Sequence, residues 1–135
     1  MVYVTRRETF SASHRLFNPG FSDDKNEQVF DKCNNPNGHG HNYELEVTVA
    51  GEVDGETGYV VDLKHLKRII KESVIAEVDH KHLNHDVAFM KGIIPTAENI
   101  AIQIWHVLKP KITTGSLFAV SLRETENNVV EYRGE

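Results

Sequence analysis

The most constraining feature of this sequence is a strict alternation of side chains between residues 39 and 49. One set of alternate positions holds histidine and apolar residues, namely His39, His41, Tyr43, Leu45, Val47 and Val49. The positions between them include Glu44, Glu46 and Thr48. Because successive side chains of a strand point to opposite faces of a sheet, this pattern predicts a strand with one buried face. We therefore expect a sheet that is covered on one side only.

The N-terminal segment predicts a second strand of the same kind. Phe10, Ala12 and His14 fall on one face, and Ser11 and Ser13 fall on the other. The apolar face indicates an inner side that packs against a core. A histidine therefore ends the buried face of this strand, and two histidines begin that of the strand at 39–49.

After residue 62 the spacing of the apolar residues becomes helical. Asp62 is a favourable N-cap, and the apolar residues that follow are Leu63, Leu66, Ile69, Ile70, Val74 and Val78. A second helix is expected to begin at Thr96, directly after Pro95, and to end near Pro110. Residues 17–38 are instead rich in Asn, Gly and Pro, which predicts a long loop.

Residues 117–125 and 129–133 predict a closing hairpin. The order of elements is then ββααββ, which indicates an α+β fold. We expect a four-stranded antiparallel sheet with two helices on one face. Such a sheet has two unpaired edges, which favours closing a barrel with other copies of the chain. A length of 135 residues fits a single domain, 1–135.

Charge and cysteine content exclude several classes of function. The chain has 15 Lys and Arg against 20 Asp and Glu, a formal net charge of −5, whereas nucleic-acid and anionic-membrane binding require a basic surface. No apolar run is long enough to span a bilayer, and the first residues lack the order of a secretory signal. A cytoplasmic location is expected. Cys33 is the single cysteine, which excludes an internal disulfide and fits a reducing compartment.

Three of the eight histidines indicate a metal site. His39 and His41 are two residues apart on a predicted strand, so their rings project to the same side. If His14 meets them, three imidazoles converge and leave a fourth position open, as a catalytic Zn²⁺ requires. The alternative is that each histidine is a core or rim residue with its own hydrogen bond. The spacing alone leaves both interpretations open.

Four further residues are candidates for chemistry. Cys33, six residues before His39, is either a thiolate base activated by a nearby metal or a buried thiol. Asp79 and His80 form either an acid–base pair or a solvated helix end. Glu124 shares the parity of apolar residues on its strand. It either accepts two hydrogen bonds from a guanidine-like ligand edge or lies in solvent beyond the end of the strand.

Five motifs follow one another between about residue 3 and residue 134. They read Phe10-Ser11-Ala12-Ser13-His14, Cys33-Asn34-Asn35-Pro36-Asn37-Gly38-His39-Gly40-His41-Asn42-Tyr43, Asp79-His80-Lys81, Pro95-Thr96-Ala97-Glu98-Asn99 and Arg123-Glu124-Thr125. The second motif is highly specific, and the others are specific only in combination. Together they resemble the 6-pyruvoyltetrahydropterin synthase family.

This resemblance implies a fold, an assembly and a substrate. The fold would be the tunnelling fold (T-fold), in which three subunits close a twelve-stranded barrel and two trimers stack as a homohexamer. The active sites would lie between subunits. The substrate would be the small-molecule pterin 7,8-dihydroneopterin triphosphate, from which the enzyme eliminates triphosphate to make 6-pyruvoyltetrahydropterin for tetrahydrobiopterin biosynthesis.

The resemblance also implies a role for each matched residue. Zn²⁺ would be held by the three histidines, His14, His39 and His41. Cys33 would be the base that abstracts a proton. Asp79 and His80 would be a second acid–base pair, contributed by a neighbouring subunit. Glu124 would bind the amino-pyrimidine edge of the pterin, with Thr96 nearby.

Some residues depart from the family pattern, and other functions remain open. Ala97 replaces a threonine common in animal members, and His82 and His85 are additional histidines that we interpret as solvated or fine-tuning residues. 6-Carboxytetrahydropterin synthase, of the queuosine pathway, shares substrate, zinc and cysteine, although the Cys33 motif and the ending Glu124–Val129 favour the pyruvoyl-forming enzyme. A non-catalytic pterin-binding module and a structural zinc protein are the alternatives outside the enzyme class.

Overall fold

Two long antiparallel strands, β1 (Val2–His14) and β2 (His39–Gly51), organise the fold. The structure is a computed structural model that describes residues 1–135. The two strands pair along their whole length, from Val2 opposite Gly51 to His14 opposite His39. This register places Phe10 opposite Tyr43, so the buried faces of both strands lie on the same side of the sheet. Both strands are therefore as the alternation predicts.

The other strands extend the sheet on both sides of this pair. β3 is Lys81–His82, β4 is Ser116–Thr125 and β5 is Asn128–Tyr132, and the order across the sheet is β3-β1-β2-β4-β5. Strands β1, β2, β4 and β5 are antiparallel, which confirms the four predicted strands. The two-residue β3 is additional and pairs parallel to β1, so the sheet is mixed and five-stranded.

Strand β3 forms because the chain passes along the outer edge of β1 and uses its free backbone groups. His80 N–H donates to the Ser11 carbonyl at 2.6 Å, and Leu83 N–H donates to the Ser13 carbonyl at 2.8 Å. Backbone groups on an open sheet edge need such partners, and no sequence period marks so short a strand.

Both predicted helices are present with their predicted N-caps. Helix α2 (Leu63–Ile70) continues through a π-helical turn, Lys71–Ile75, into α3 (Ala76–Val78). Helix α4 is Ala97–Leu108. The Asp62 carboxylate accepts from Lys64 N–H at 2.9 Å, and the Thr96 hydroxyl accepts from Asn99 N–H at 3.2 Å. These contacts satisfy backbone donors that a helix start leaves free.

The predicted long loop at 17–38 is wrong, because part of it is helical. Helix α1 (Asp23–Phe30) runs into a 3₁₀ turn, Asp31–Asn34, and a second 3₁₀ turn is Ala88–Met90. The one buried residue of α1 is Asn26, whose side chain accepts from Asn18 N–H at 2.7 Å and donates to the Asn18 carbonyl at 3.0 Å. A helix held by polar contacts shows no apolar stripe, so the periodicity does not reveal it.

The core lies between one face of the sheet and the helices. Its fully buried members include Tyr43, Leu45, Val47, Leu66, Ile70, Ile100, Ile104, Leu108 and Leu122. Burial of each large aliphatic side chain contributes about 1.5–3 kcal/mol. The opposite face is polar and carries the exposed pair Arg7 and Glu44. None of the helices has both the length and the apolar content that crossing a bilayer requires.

Candidate metal centre and active site

The three histidines singled out by the sequence meet at one end of the sheet. His14 ends β1 and lies directly opposite His39, which begins β2, and His41 follows two residues later on the same face. One ring nitrogen from each lies within 4.8 Å of the other two. The Nε2 atoms of His14 and His39 are 3.1 Å apart. The predicted convergence of the three imidazoles is confirmed.

His14 is held in the form that a metal ligand needs. Its Nδ1 lies 2.7 Å from the Pro95 carbonyl. A carbonyl only accepts, so Nδ1 carries the hydrogen and Nε2 presents its lone pair to the cluster. Burial of the ring lowers the pKa of His14 to about 4, which keeps the imidazole neutral at physiological pH.

The cluster leaves two buried nitrogen atoms without a partner. His39 Nδ1 and His41 Nε2 are shielded from solvent and form no hydrogen bond. Burial lowers the pKa of His41, and the nearby Glu124 carboxylate opposes this shift. Buried polar atoms are normally satisfied, so unpaired nitrogens in a cluster of three imidazoles fit a bound cation. Three separately hydrogen-bonded histidines would not leave these atoms unpaired, and His14, His39 and His41 could hold a metal ion.

Cys33 lies in the 3₁₀ turn Asp31–Asn34, which is hydrogen-bonded to the residues that follow the end of β1. Its carbonyl accepts from Leu16 N–H at 2.8 Å. The Arg15 guanidinium donates to the Asn34 carbonyl at 3.0 Å and to the Asn34 side-chain oxygen at 3.1 Å. The turn is therefore fastened to the two residues that follow His14. The cysteine is free and only partly buried, unlike a thiol enclosed in an apolar core.

Asp79 and His80 form a contact pair at the outer edge of β1. The Asp79 carboxylate is 3.0 Å from His80 Nδ1 and accepts from Ser11 N–H at 2.9 Å. The hydrogen bond from Ser11 is the largest of the effects that lower the pKa of Asp79. The His80 side chain is 83% exposed, and the cleft beside it is lined by polar-face residues that include Ser11 and Asn42. Neither residue hydrogen-bonds to the three histidines.

Glu124 lies near the histidine cluster at an irregularity in the sheet. The register between β4 and β5 shifts between Arg123 and Thr125, so Glu124 occupies a bulge. Its carboxylate oxygens are 4.0 Å from His14 Nε2 and 3.8 Å from His41 Nε2. Bulges re-aim side chains and occur often beside active sites. The alternative that the strand ends before Glu124 is wrong, since β4 continues to Thr125.

Thr96 and Glu124 line one cleft of about 520 Å³. The sequence places them 28 residues apart on different elements, and the structure brings both to the rim of the metal end of the sheet. Asn127 and Val129 of the closing hairpin complete much of the wall. Thr96 and Glu124 therefore lie together within one chain.

Sequence reasoning did not identify Gly38 and Asn84 as residues that position the site. Gly38 has a φ of 74°, and a Cβ there would lie 3.0 Å from the His14 carbonyl and 3.1 Å from His82 Nε2. Only glycine fits so close an approach. The Asn84 side-chain oxygen accepts a hydrogen bond from Arg15 N–H at 2.8 Å, and its side-chain nitrogen donates to the Arg15 carbonyl at 2.8 Å. The turn sequence ending at Gly38 was a usable signal, whereas the Asn84 bridge is visible only in three dimensions.

The two additional histidines lie next to this glycine. The rings of His82 and His85 stack with centroids 4.3 Å apart. Burial lowers the pKa of His82, which is partly enclosed, whereas His85 is exposed. Of the two interpretations, solvated or fine-tuning, the exposure of His85 fits the first, and the partial burial of His82 leaves the second.

Comparison with known proteins gives consistent matches along the whole chain. The 6-pyruvoyl tetrahydropterin synthase family model matches residues 3–135. The 6-pyruvoyl tetrahydrobiopterin synthase of Homo sapiens is 48% identical over 132 residues, covering 98% of this chain and 91% of the human protein. The 6-carboxy-5,6,7,8-tetrahydropterin synthase of Rickettsia typhi is 31% identical over 150 residues, covering 97% of this chain and 99% of the relative.

A solved structure gives the same result for the fold. Caenorhabditis elegans 6-pyruvoyl tetrahydropterin synthase superimposes with a TM-score of 0.94 at 42% identity, covering 99% of this chain and 96% of that one. The predicted T-fold is confirmed at the level of the subunit. By sequence and by fold, this chain belongs to the 6-pyruvoyl tetrahydropterin synthase family.

Proposed function

We propose that this protein is a lyase that converts 7,8-dihydroneopterin triphosphate to 6-pyruvoyltetrahydropterin and releases triphosphate. The observation that carries the proposal is the cluster of three histidines with two unpartnered buried nitrogens, in a member of this family. The reaction needs no redox cofactor, because the pterin ring is reduced at the expense of its own side chain. Identity is higher to the human synthase, at 48%, than to the carboxy-forming relative, at 31%, which favours the pyruvoyl product.

The metal in this proposal is Zn²⁺. Three neutral imidazoles with one position left for a further ligand are the donor set of catalytic zinc sites. Bound there, zinc would supply Lewis acidity to the side-chain oxygens of the substrate. The Pro95 carbonyl fixes the ring of His14, as outer hydrogen bonds do for metal-ligating histidines.

Two groups of the chain would move protons in this proposal. Cys33 is the base that takes a proton from a side-chain carbon of the substrate, and its partial exposure leaves the thiol accessible. Asp79 holds His80 at Nδ1, which leaves His80 Nε2 to accept or donate a proton. The geometry of this second pair resembles other carboxylate–imidazole pairs that act in catalysis.

Glu124 and Thr96 would recognise the pterin. The two oxygens of a carboxylate can accept two N–H groups from an amino-pyrimidine edge, as they do from arginine. The shared cleft supports this role, since both residues line it and the Glu124 carboxylate also lies within 4.0 Å of two of the histidines. A pterin held there would direct its side chain towards the histidines.

The assembly we propose is a homohexamer, a dimer of trimers with active sites between subunits. Two observations support it: the sheet ends in the open edges β3 and β5, and the exposed pair Asp79–His80 makes no hydrogen bond to its own metal cluster. A neighbouring copy would supply the missing half of the site. A cytoplasmic location stays part of the proposal, supported by the unpaired Cys33.

The test is a product analysis by mass spectrometry. Zinc-loaded, assembled protein is incubated with 7,8-dihydroneopterin triphosphate without a reductase. We expect a 6-pyruvoyl product and free triphosphate. A 6-carboxy product with acetaldehyde would assign the chain to the other enzyme of the family, and unchanged substrate would refute the enzyme and leave a pterin-binding module.

Cys33→Ala separates catalysis from binding in the same assay. Removal of a general base lowers rates by about 10²–10⁴-fold. We expect a loss in kcat of that size with zinc content and pterin affinity retained. Full activity of the variant would assign the base to another residue.

A further inference from the structure

The Glu124 carboxylate is unusual because nothing in the chain satisfies it. It accepts no hydrogen bond, and the only ionisable groups within 4.0 Å of it are the neutral imidazoles of His14 and His41, at 4.0 and 3.8 Å. Its side chain is 23% exposed, so it is largely withdrawn from solvent. A carboxylate in this position is costly unless a cation or a donor compensates it.

The distances leave room for a cation shared with the histidines. Zinc lies about 2.0–2.2 Å from nitrogen and carboxylate-oxygen ligands, so two ligands of a tetrahedral ion are about 3.4 Å apart. The Glu124 oxygens, at 4.0 Å from His14 Nε2 and 3.8 Å from His41 Nε2, are close to that separation and reach it by a small movement of the side chain. One of them reaches His41 Nε2, a nitrogen that has no hydrogen bond. The carboxylate therefore faces the position that the three imidazoles leave open.

The charge balance favours the same arrangement. Three neutral imidazoles leave the full double charge of a divalent ion in a site where His14 is completely buried. One carboxylate halves that charge and meets the ion's preference for a fourth ligand. No other acidic residue has a carboxylate within ion-pairing distance of these histidines.

We infer that Glu124 is the fourth ligand of the bound metal while the site is free of substrate, and that it leaves the metal when a pterin binds. The second half of this inference rests on the proposed function. The bulge at Glu124 places one carboxylate between the metal cluster and the cleft shared with Thr96. A single side chain thereby couples recognition of the pterin to the opening of a coordination position.

The first half is tested by zinc affinity in the absence of any pterin. Metal-free wild type, Glu124→Gln and Glu98→Gln are titrated with zinc against a chromophoric chelator. Glu98 lines the same cleft but is exposed at the start of α4, so its variant matches the change in charge. Glu124→Gln is expected to bind zinc at least about tenfold more weakly, and Glu98→Gln to match the wild type. Wild-type affinity in Glu124→Gln would overturn the inference.

Visible spectra of the Co²⁺-substituted proteins test coordination directly. Glu124→Gln should change the ligand-field bands of the wild type, and adding biopterin to the wild type should shift them in the same direction. Glu124→Asp, which keeps the charge on a shorter arm, serves if the amide variant does not fold, and its bands should also differ. Identical spectra of wild type and variants would overturn the fourth ligand. Unchanged bands in a sample that is shown to bind biopterin would overturn the displacement of Glu124. This result does not depend on which product the enzyme makes.

Discussion

Two regions on the same face of the sheet differ in whether their buried side chains contain polar atoms without hydrogen-bond partners. In the middle of β2, Leu45 and Val47 are fully buried among apolar neighbours and leave no polar atom unpaired. At the end of the same strand, His39 and His41 bury nitrogens that have no partner. Both regions share one strand geometry and one alternation. The difference shows that the apolar span supplies stability, which allows the end of the sheet to hold groups that only a ligand satisfies.

The largest effect is expected from His41→Ala, which removes one metal ligand. Loss of a metal's electrostatic contribution is several kcal/mol, so activity should fall at least about 10³-fold. The stability of the metal-free protein should change far less than the activity, because the lost Nε2 made no hydrogen bond. Steady-state kinetics, metal analysis and urea unfolding measure the three quantities. Normal zinc content in this variant would contradict the assignment of the cluster.

Leu45→Ala should have the reverse profile. Deleting a fully buried leucine is expected to lower the free energy of unfolding by about 2–5 kcal/mol. Below the unfolding transition, the zinc affinity should stay that of the wild type. Glu46→Ala is the matched control on the polar face of the same strand and should change stability by less than about 0.5 kcal/mol. Equal losses for the two variants would show that the faces do not differ.

Acid should destabilise the metal end of the metal-free protein. Burial lowers the pKa of His14 from 6.5 to about 4, so between these values the unfolded chain binds more protons than the folded one. Stability contributed by neutral His14 is full above pH 6.5 and is lost as the pH falls towards 4, by on the order of 3 kcal/mol. Unfolding free energies measured across this window should fall less steeply in His14→Gln. The same slope in both proteins would show that protonation of His14 is not the cause of the loss of stability in acid.

The smallest effect is expected on the polar face of the sheet. Arg7 and Glu44 are 2.6 Å apart, and their side chains are 57% and 36% exposed. Arg7→Ala should cost less than about 1 kcal/mol, and added salt should reduce the loss. Urea unfolding at two salt concentrations measures it. A loss as large as that of Leu45→Ala would mean that this face is buried in the assembly.

The sequence predicts the elements whose signals are local. Alternation identifies β1 and β2, and the side chains of Asp62 and Thr96 mark the helix starts that the structure confirms. Helix α1 is missed because Asn26 anchors it through hydrogen bonds rather than an apolar stripe. Strand β3 is missed because two residues carry no period.

The site is predictable to a similar degree. Spacing and strand parity bring the histidines together, but no pattern reveals the bulge that turns Glu124 towards them. Nor does any pattern show that His80 adopts a positive φ of 60° as it contacts Ser11. Both features depend on neighbours distant in sequence.

Strand β1 carries His14 on its buried face and, at its outer edge, the backbone of Ser11 that holds Asp79 and His80. Each subunit would contribute its metal ligands to one active site and its Asp79–His80 pair to the neighbouring active site. A mutation of the metal ligands and a mutation of the acid–base pair would then inactivate different sites. Inactive His41→Ala and His80→Ala subunits, produced together, should then form mixed assemblies with some intact sites. Two null alleles of this gene would complement each other, whereas two alleles that damage the same half would not.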